Sequence, residues 1–187
     1  IPDKRGVKDK IITFLGRITM QKGPEYFVEA ASRVLMKADN VRFVMAGSGD
    51  MMDKMIRLAA SRNLSDRFHF TGFMKGKQVY EIFKASDVYV MPSVSEPFGI
   101  SPLEAMQCGV PSIISKQSGC AEILDYAIKV DYWDIEALAD AIYGLITYPK
   151  LHAFLKEEGL KEVNNIKWEY AGQKVRRIYD RVLYGKN

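Results

Sequence analysis

The sequence predicts an α/β fold, in which a Rossmann-like parallel sheet of about six strands carries helices on both faces. Short β-branched and aromatic runs alternate with longer segments whose apolar residues recur at helical spacing. Most of the short runs are apolar throughout, which is typical of strands buried on both faces of a parallel sheet. No internal repeat, low-complexity tract or interior linker interrupts the 187 residues, so we expect one domain.

The predicted elements follow from these runs in chain order. The predicted strands cover residues 10–16, 41–47, 67–72, 87–92, 111–114 and 127–130. The predicted helices cover residues 23–37, 51–60, a segment carrying Val79, Ile82 and Phe83, residues 101–108, a segment from Ile135 to Leu145, and residues 150–163 and 167–184. The polar lead-in at residues 1–9 is predicted to be a linker that enters a domain spanning residues 10–187.

Composition limits the class of protein and of partner. The chain is 48% apolar and 27% charged, with a net charge of +4 and an isoelectric point of about 8.9, which suits a phosphate-bearing ligand. Its cations are scattered without interleaved aromatic residues, so no nucleic-acid partner is expected. Cys108 and Cys120 are interpreted as structural thiols. No apolar run reaches the roughly 18 residues of a membrane span, and we expect a cytoplasmic location.

Ligands of such sheets bind beyond the carboxyl ends of the strands, so the residues that follow each strand are the candidates. Arg17 and Lys22 follow the first strand on a loop that enters a helix, where helix amides and cations together could hold a diphosphate. Solvated surface charges are the alternative reading. Gly47 and Gly49 follow the second strand and suggest close backbone approach, although a plain turn with Asp50 near the helix start fits equally well.

The segment after the fourth strand, residues 93–111, carries two glutamates around a Pro-Phe-Gly turn. Ser101 and Glu104 have the spacing of a capping box, with Ser101 as the N-cap and Pro102 at the first helical position. Glu96 precedes the helix and has no such structural explanation. A carboxylate there can accept hydrogen bonds from hydroxyl groups, which a sugar offers and a phosphate does not.

Several motifs of the sequence resemble those of a known family. SEPFGISPLEAMQCGVPSIIS resembles the Glu-x7-Glu signature of retaining GT-B glycosyltransferases of sequence family four (glycosyl transferases group one), with Glu96 and Glu104 at the two glutamate positions. GRITMQKG is similar to the family's Arg-x4-Lys-Gly segment. FTGF, DVYVMPS, SGCAEIL and the closing WEYAGQKVRRIYDRVL follow in the family's order, so the resemblance runs from about residue 10 to 183. One departure is that Gly119 stands where the family often has two adjacent glycines.

The resemblance implies the carboxyl-terminal, donor-binding half of a two-domain enzyme. It assigns catalytic roles to Arg17 and Lys22, on the donor diphosphate, and to Glu96, on the sugar hydroxyls. Glu104 would hold the ribose, and the turn at residues 72–74 would lie near the base. The full implied donor-binding set is Gly16, Gly47, Gly72, Phe73, Met74, Phe98, Gly99, Ile100, Ser101 and Glu104.

The implied reaction is hexose transfer, with retention, from a UDP-, GDP- or ADP-hexose to a glycan or other hydroxyl acceptor. The resemblance also implies a missing N-terminal acceptor domain, no cofactor and no metal, and a fragment that is inactive alone. A stand-alone nucleotide-sugar binding module is the alternative from another class. A GT-B epimerase would need further carboxylates and a histidine, and His69 and His152 are interpreted as structural.

Overall fold

The computed structural model describes residues 8–185, apart from the side chain of Trp168. Residues 1–7 of the predicted linker lie outside the described residues, so the linker stays a prediction. Asp9, the last residue of that predicted segment, already contacts the domain, because its carboxylate accepts a hydrogen bond of 2.6 Å from the Arg42 guanidinium.

Six strands form one parallel sheet, which confirms the predicted fold class. The strands are β1 Lys10–Leu15, β2 Val41–Ala46, β3 Phe68–Gly72, β4 Val88–Met91, β5 Ser112–Ser115 and β6 Ile128–Val130. Their order across the sheet is β3-β2-β1-β4-β5-β6, and every neighbouring pair is parallel. This is the strand order of dinucleotide-binding Rossmann sheets. Each predicted strand agrees with the observed one to within one residue at either end.

Within residues 8–185, seven α-helices connect or follow the strands, at the places where helical spacing predicts them. They are α1 Pro24–Leu35, α2 Met52–Ser61, α3 Lys77–Ala85, α4 Ile100–Gln107, α5 Ile135–Thr147, α6 Pro149–Asn165 and α7 Trp168–Tyr184. Short 3-10 turns at Met20–Lys22 and Gly119–Glu122 follow β1 and β5. None of the helices between residues 8 and 185 is both long and apolar enough to cross a membrane.

Hydrophobic clusters bury the sheet on both faces. On one face, α1, α2 and α5 pack against β-strand residues such as Phe14 and Phe43, which are 2% and 0% exposed. On the other face, α3, α4 and α6 pack against residues such as Tyr89 and Ile114, and a smaller cluster joins α3 to β1 and β2. Because successive strand residues point to opposite faces, strands that are apolar throughout contribute to the clusters on both faces.

The chain reverses direction across the sheet between β1 and β4. The loop after β1 leads to α1 on one face, and the loop after β4 leads to α4 on the other. The two loops therefore start from neighbouring strand ends and lead to opposite faces, which is the topological switch point at whose crevice such sheets bind ligands.

The last helix, α7, contributes no buried side chain among its described residues. Val175, Ile178 and Val182 recur at helical spacing and are 51%, 60% and 76% exposed. An apolar face of this kind on an otherwise polar helix is typical of a surface that another segment or protein covers.

Candidate functional site

The loop after β1 is locked to the loop after β2 by backbone hydrogen bonds. The Ile18 amide donates to the Ser48 carbonyl at 2.9 Å, and the Met51 amide donates to the Ile18 carbonyl at 3.0 Å. The side chain of Ile18 is fully buried, whereas its neighbour Arg17 is exposed. The chain thus anchors one residue in the core and leaves the adjacent guanidinium at the mouth of the crevice, where it bonds the Gln21 side-chain amide oxygen at 3.3 Å.

Glycines allow these two loops to approach each other. A Cβ atom at Gly47 would lie 1.8 Å from the Gly16 carbonyl oxygen, and Gly47 has a φ of 143°. A Cβ at Gly49 would lie 2.2 Å from the Ile18 carbonyl oxygen. The close approach is between the backbones of the two loops, and the plain strand-to-helix turn with Asp50 near the helix start is also present, although no side chain caps α2.

The loop after β4 is held from two sides. The Val94 amide donates to the Gln21 carbonyl at 3.0 Å, which ties this loop to the one after β1. The Gly119 amide donates to the Glu96 carbonyl at 2.9 Å, which ties it to the loop after β5. A Cβ at Gly119 would lie 2.1 Å from the Pro97 carbonyl oxygen, so the single glycine that remains in SGCAEIL is needed for this contact.

Lys22 and Glu96, which are separated by 74 residues in sequence, form an ion pair at the switch point. The Lys22 ammonium donates to Glu96 Oε2, and the two side chains are 20% and 12% exposed. Such burial strengthens the attraction relative to a surface pair and makes either charge costly to leave unpaired. The structure therefore brings together two of the three residues that the resemblance marks as catalytic.

The predicted capping box at Ser101 is wrong. The helix begins at Ile100, and Gly99, with a φ of 95°, occupies the N-cap position. Ser101 is thus already inside the first turn, and its hydroxyl bonds the Tyr89 hydroxyl at 2.7 Å. Glu104 is consequently not at the third helical position, and it lies exposed on α4.

Tyr89 is a site residue that sequence reasoning missed. It is fully buried below the switch point, where its hydroxyl also donates to the Leu15 carbonyl at 3.3 Å. Burial raises the pKa of this hydroxyl, so it stays protonated and joins the end of β1 to the start of α4. The sequence could have indicated this role, because Tyr89 is the polar residue of an otherwise apolar strand and a buried phenol needs a hydrogen-bond partner.

A cavity of about 400 Å³ opens at the carboxyl ends of β1, β2 and β3. It is lined by Leu15, Gly16, Arg17, Ala46, Gly47, Ser48, Phe73 and Met74. Four of the predicted donor-binding residues and Arg17 are therefore neighbours. Gly72, with a φ of 75°, directly precedes the lining residue Phe73, whose side chain is 71% exposed.

Three buried side-chain oxygens make no hydrogen bond within the part of the chain that the structure describes. They are Thr19 Oγ1, Ser93 Oγ and Gln117 Oε1. All three lie on loops that follow β1, β4 and β5, at the same end of the sheet as the ion pair. Buried polar groups without partners are rare in folded proteins, so each of these three oxygens is a candidate to bind a water molecule or a ligand.

The histidines and cysteines lie in structural settings. The His152 ring nitrogen Nε2 is 2.9 Å from the Asp87 carbonyl oxygen, and His69 Nε2 is 3.2 Å from the Arg42 guanidinium. Cys120 is buried beneath the β4 loop, and burial raises the pKa of its thiol. Within residues 8–185 no three His, Cys, Asp or Glu side chains are grouped as a metal site would require.

Comparison with known proteins matches residues 2–162 to the model of the family described as "Glycosyl transferases group 1". An uncharacterized glycosyltransferase of Methanocaldococcus jannaschii is 36% identical over 174 residues, which is 87% of this chain and 41% of that protein. A 2-deoxystreptamine N-acetyl-D-glucosaminyltransferase of Niallia circulans is 32% identical over 157 residues, which is 82% of this chain and 40% of that protein. The chain thus spans about two fifths of the length of these relatives.

Solved structures show the same domain. The C-terminal domain of a glycosyl transferase group 1 family protein from Francisella tularensis superimposes with a TM-score of 0.79 and 25% identity, covering 86% of this chain and 87% of that one. The Anabaena protein HepE in complex with UDP-glucose superimposes with a TM-score of 0.81 and 19% identity, covering 92% of this chain and 49% of that one, a likeness of fold alone. The chain belongs to the group 1 glycosyltransferases, and its domain has the fold of the C-terminal half of a GT-B enzyme.

Proposed function

We propose that this chain is the donor-binding domain of a retaining glycosyltransferase, which moves a hexose from a nucleoside diphosphate sugar to an acceptor hydroxyl. The observation that carries the proposal is the Lys22–Glu96 pair at the switch point, with Arg17, on the same loop as Lys22, lining a cavity of about 400 Å³. Two cations suit a diphosphate, and a carboxylate suits sugar hydroxyls. Because the chain belongs to the group 1 glycosyltransferases, we interpret this combination of residues as a site for a sugar donor.

The nucleoside enters the cavity in this proposal. Gly16 and Gly47 let the ligand approach the backbone closely, and the segment 72–74 lies against the base. Glu104 holds the ribose, as the Glu-x7-Glu motif implies. HepE, which shares the fold, was solved with UDP, with UDP-glucose and with UDP and glucose, and this supports a nucleoside diphosphate sugar as the class of ligand.

The diphosphate lies between the β1 loop and the start of α4. Arg17 and Lys22 neutralise its charge, and the amides of residues 98–101 donate to its oxygens or to the sugar. Because α4 begins at Ile100, after the loop that follows β4, its first amides lie at the carboxyl end of the sheet. Helix amides and their dipole favour an anion at this position.

The proposed reaction breaks the bond between the sugar's anomeric carbon and the β-phosphate oxygen, and the bonding electrons leave with the diphosphate. The acceptor oxygen forms its bond to the same face of that carbon, and the acceptor proton passes to the departing diphosphate. Arg17, Lys22 and the α4 amides stabilise the charge that grows on the leaving group. Glu96 orients the hexose through its hydroxyls.

The acceptor is bound by a second domain of a longer chain in this proposal. The relatives extend over more than twice the length that this chain matches. The exposed apolar face of α7 fits the same idea, because Ile178 and Val182 would be covered when such a domain is present. The 187-residue chain should therefore bind the donor and transfer nothing.

Calorimetry tests the proposal with UDP, GDP, ADP and their hexose derivatives on the wild-type chain and on Arg17→Ala. One of the nucleotides should bind, and Arg17→Ala should weaken it about ten- to hundredfold, since a charge-assisted hydrogen bond is worth roughly 1.5–3 kcal/mol. Lys37→Ala is the control, because it removes a cation whose partner is Asp140, away from the crevice. The absence of binding to all six ligands, or sugar transfer by this chain alone, would contradict the proposal.

A further inference from the structure

The Lys22–Glu96 ion pair lies inside the proposed donor site, and the two partners have different ligand groups to bind there. The ammonium suits a phosphate and the carboxylate suits sugar hydroxyls, yet in this structure each is the other's partner. Both side chains are largely buried, at 20% and 12% exposure, so neither has free access to bulk water when its partner is withdrawn.

The backbone fixes this pairing. The Gln21 carbonyl, next to Lys22 in sequence, accepts from the Val94 amide at 3.0 Å and the Ser95 amide at 3.4 Å. Glu96 is tied on its other side by the hydrogen bond of 2.9 Å between its carbonyl and the Gly119 amide. These bonds hold the two loops together, so that a change of partner by the side chains needs no movement of the backbone.

Arg17 does not share this constraint. Its guanidinium is exposed and bonds the neutral Gln21 amide oxygen at 3.3 Å, so a phosphate can reach it without displacing a carboxylate. A diphosphate that recruits Lys22, by contrast, competes with Glu96 for one ammonium. It also places its own negative charge beside a carboxylate that has lost its counter-ion, which is unfavourable in a half-buried crevice.

We propose, on the basis of the function proposed above, that the Lys22–Glu96 pair makes the site select the intact nucleotide sugar and expel the bare nucleotide diphosphate. With the intact donor, the diphosphate takes Lys22 and the hexose hydroxyls replace Lys22 as donors to Glu96. Once the hexose has gone to the acceptor, nothing donates to Glu96. The Glu96 carboxylate then pairs with Lys22 again in place of the diphosphate, and the nucleotide diphosphate dissociates.

This inference changes what Glu96→Gln should do. If Glu96 faced the sugar alone, as the sequence motif implies, a bare nucleotide would bind the variant and the wild type equally. If Glu96 competes for Lys22, the variant should bind the bare nucleotide more tightly, because glutamine keeps the shape of the side chain and gives up the charge.

The experiment measures two affinities by calorimetry, for a nucleotide diphosphate and its hexose derivative, using UDP and UDP-glucose, GDP and GDP-mannose, and ADP and ADP-glucose in parallel. The proteins are the wild-type chain, Glu96→Gln, Lys22→Met and the double variant. Glu122→Gln is the matched control, because it removes an exposed carboxylate from the neighbouring loop after β5. Thermal melting confirms that each variant is folded.

For the pair that binds the wild type, Glu96→Gln should tighten the bare nucleotide about threefold or more and reduce the preference for the sugar derivative about tenfold. In the Lys22→Met background, Glu96→Gln should raise the affinity for the bare nucleotide clearly less, because the ammonium for which Glu96 and the diphosphate compete is absent. Glu122→Gln should change neither affinity.

Three results would overturn the inference while leaving the proposed function intact. These are an unchanged or weaker affinity of Glu96→Gln for the bare nucleotide, an equal gain with and without Lys22, and an equal gain in Glu122→Gln. Failure of all three ligand pairs to bind the wild-type chain would remove the proposed function, and this inference with it.

Discussion

Gly16 and Gly47 lie in contact at the strand ends, and substitution by alanine should destabilise the fold at Gly47 but not at Gly16. A Cβ at Gly47 would lie 1.8 Å from the Gly16 carbonyl oxygen, at a φ of 143° that other residues rarely adopt. A Cβ at Gly16 would meet nothing within 4 Å, at a position that lines the cavity. Gly47→Ala should therefore lower the free energy of unfolding by at least about 1–3 kcal/mol, and Gly16→Ala should change it by less than about 0.5 kcal/mol.

The same two variants also test the ligand site, because only one of them should affect binding without affecting folding. The added methyl group of Gly16→Ala takes space in the cavity, and a loss of about 1.4 kcal/mol would weaken the nucleotide tenfold. Urea unfolding and calorimetry on both variants give the comparison. A stable Gly16→Ala chain with undiminished nucleotide affinity would show that the ligand does not reach this part of the cavity.

The sequence could not predict the contacts of the site that join residues far apart in the chain. Ser101, Pro102 and Glu104 satisfy the local rule for a capping box, yet the helix starts earlier, at Ile100, and the Ser101 hydroxyl bonds Tyr89 from another element. A local pattern carries no information about such a tertiary partner. The motif likewise suggested roles for Lys22 and Glu96 separately, and only the folded chain revealed that they pair.

The α7 helix should add little to the stability of this domain. Ile178→Lys and Val182→Lys replace side chains that are 60% and 76% exposed, so each should change the free energy of unfolding by less than about 0.5 kcal/mol. Leu138→Ala on α5 is the contrasting variant, because it removes a fully buried side chain and should cost about 2–5 kcal/mol. Urea unfolding measures all three.

A destabilisation of 2 kcal/mol or more by Val182→Lys, on the scale of a buried aliphatic side chain, would mean that α7 packs against this domain in solution. The expected result instead leaves its apolar face available to the rest of a longer chain. Binding of a hydrophobic dye should also fall in both lysine variants, since they interrupt the exposed apolar stripe.

The regular elements were predictable because their signals are local and repeated. Strands such as β1 and β2 are apolar runs ended by glycine, and helices such as α5 repeat apolar residues over several turns. The strand order could not be predicted in this way, because no local sequence pattern indicates that β4 pairs with β1. That pairing creates the crevice, so the sequence predicted which loops carry the site but not which of them are neighbours.

At the scale of the whole molecule, one end of the sheet carries the features of a ligand site. The cavity, the ion pair and the unpaired buried oxygens all lie beyond the carboxyl ends of the strands. The opposite end carries the turns that enter β2 and β3, with Lys37 and Arg42 in ion pairs to Asp140 and Asp9. This asymmetry predicts that a nucleotide sugar contacts only the first end.

Amide hydrogen exchange, measured by mass spectrometry on the 187-residue chain with and without saturating nucleotide sugar, tests this prediction. UDP-glucose, GDP-mannose and ADP-glucose are compared, and the one that binds should protect the amides of residues 16–23, 47–50 and 93–101. Residues 36–40 and 62–67, in the turns at the opposite end, should exchange at unchanged rates. Protection confined to those opposite turns, or no protection by any of the three ligands, would contradict a donor site at the carboxyl end of the sheet.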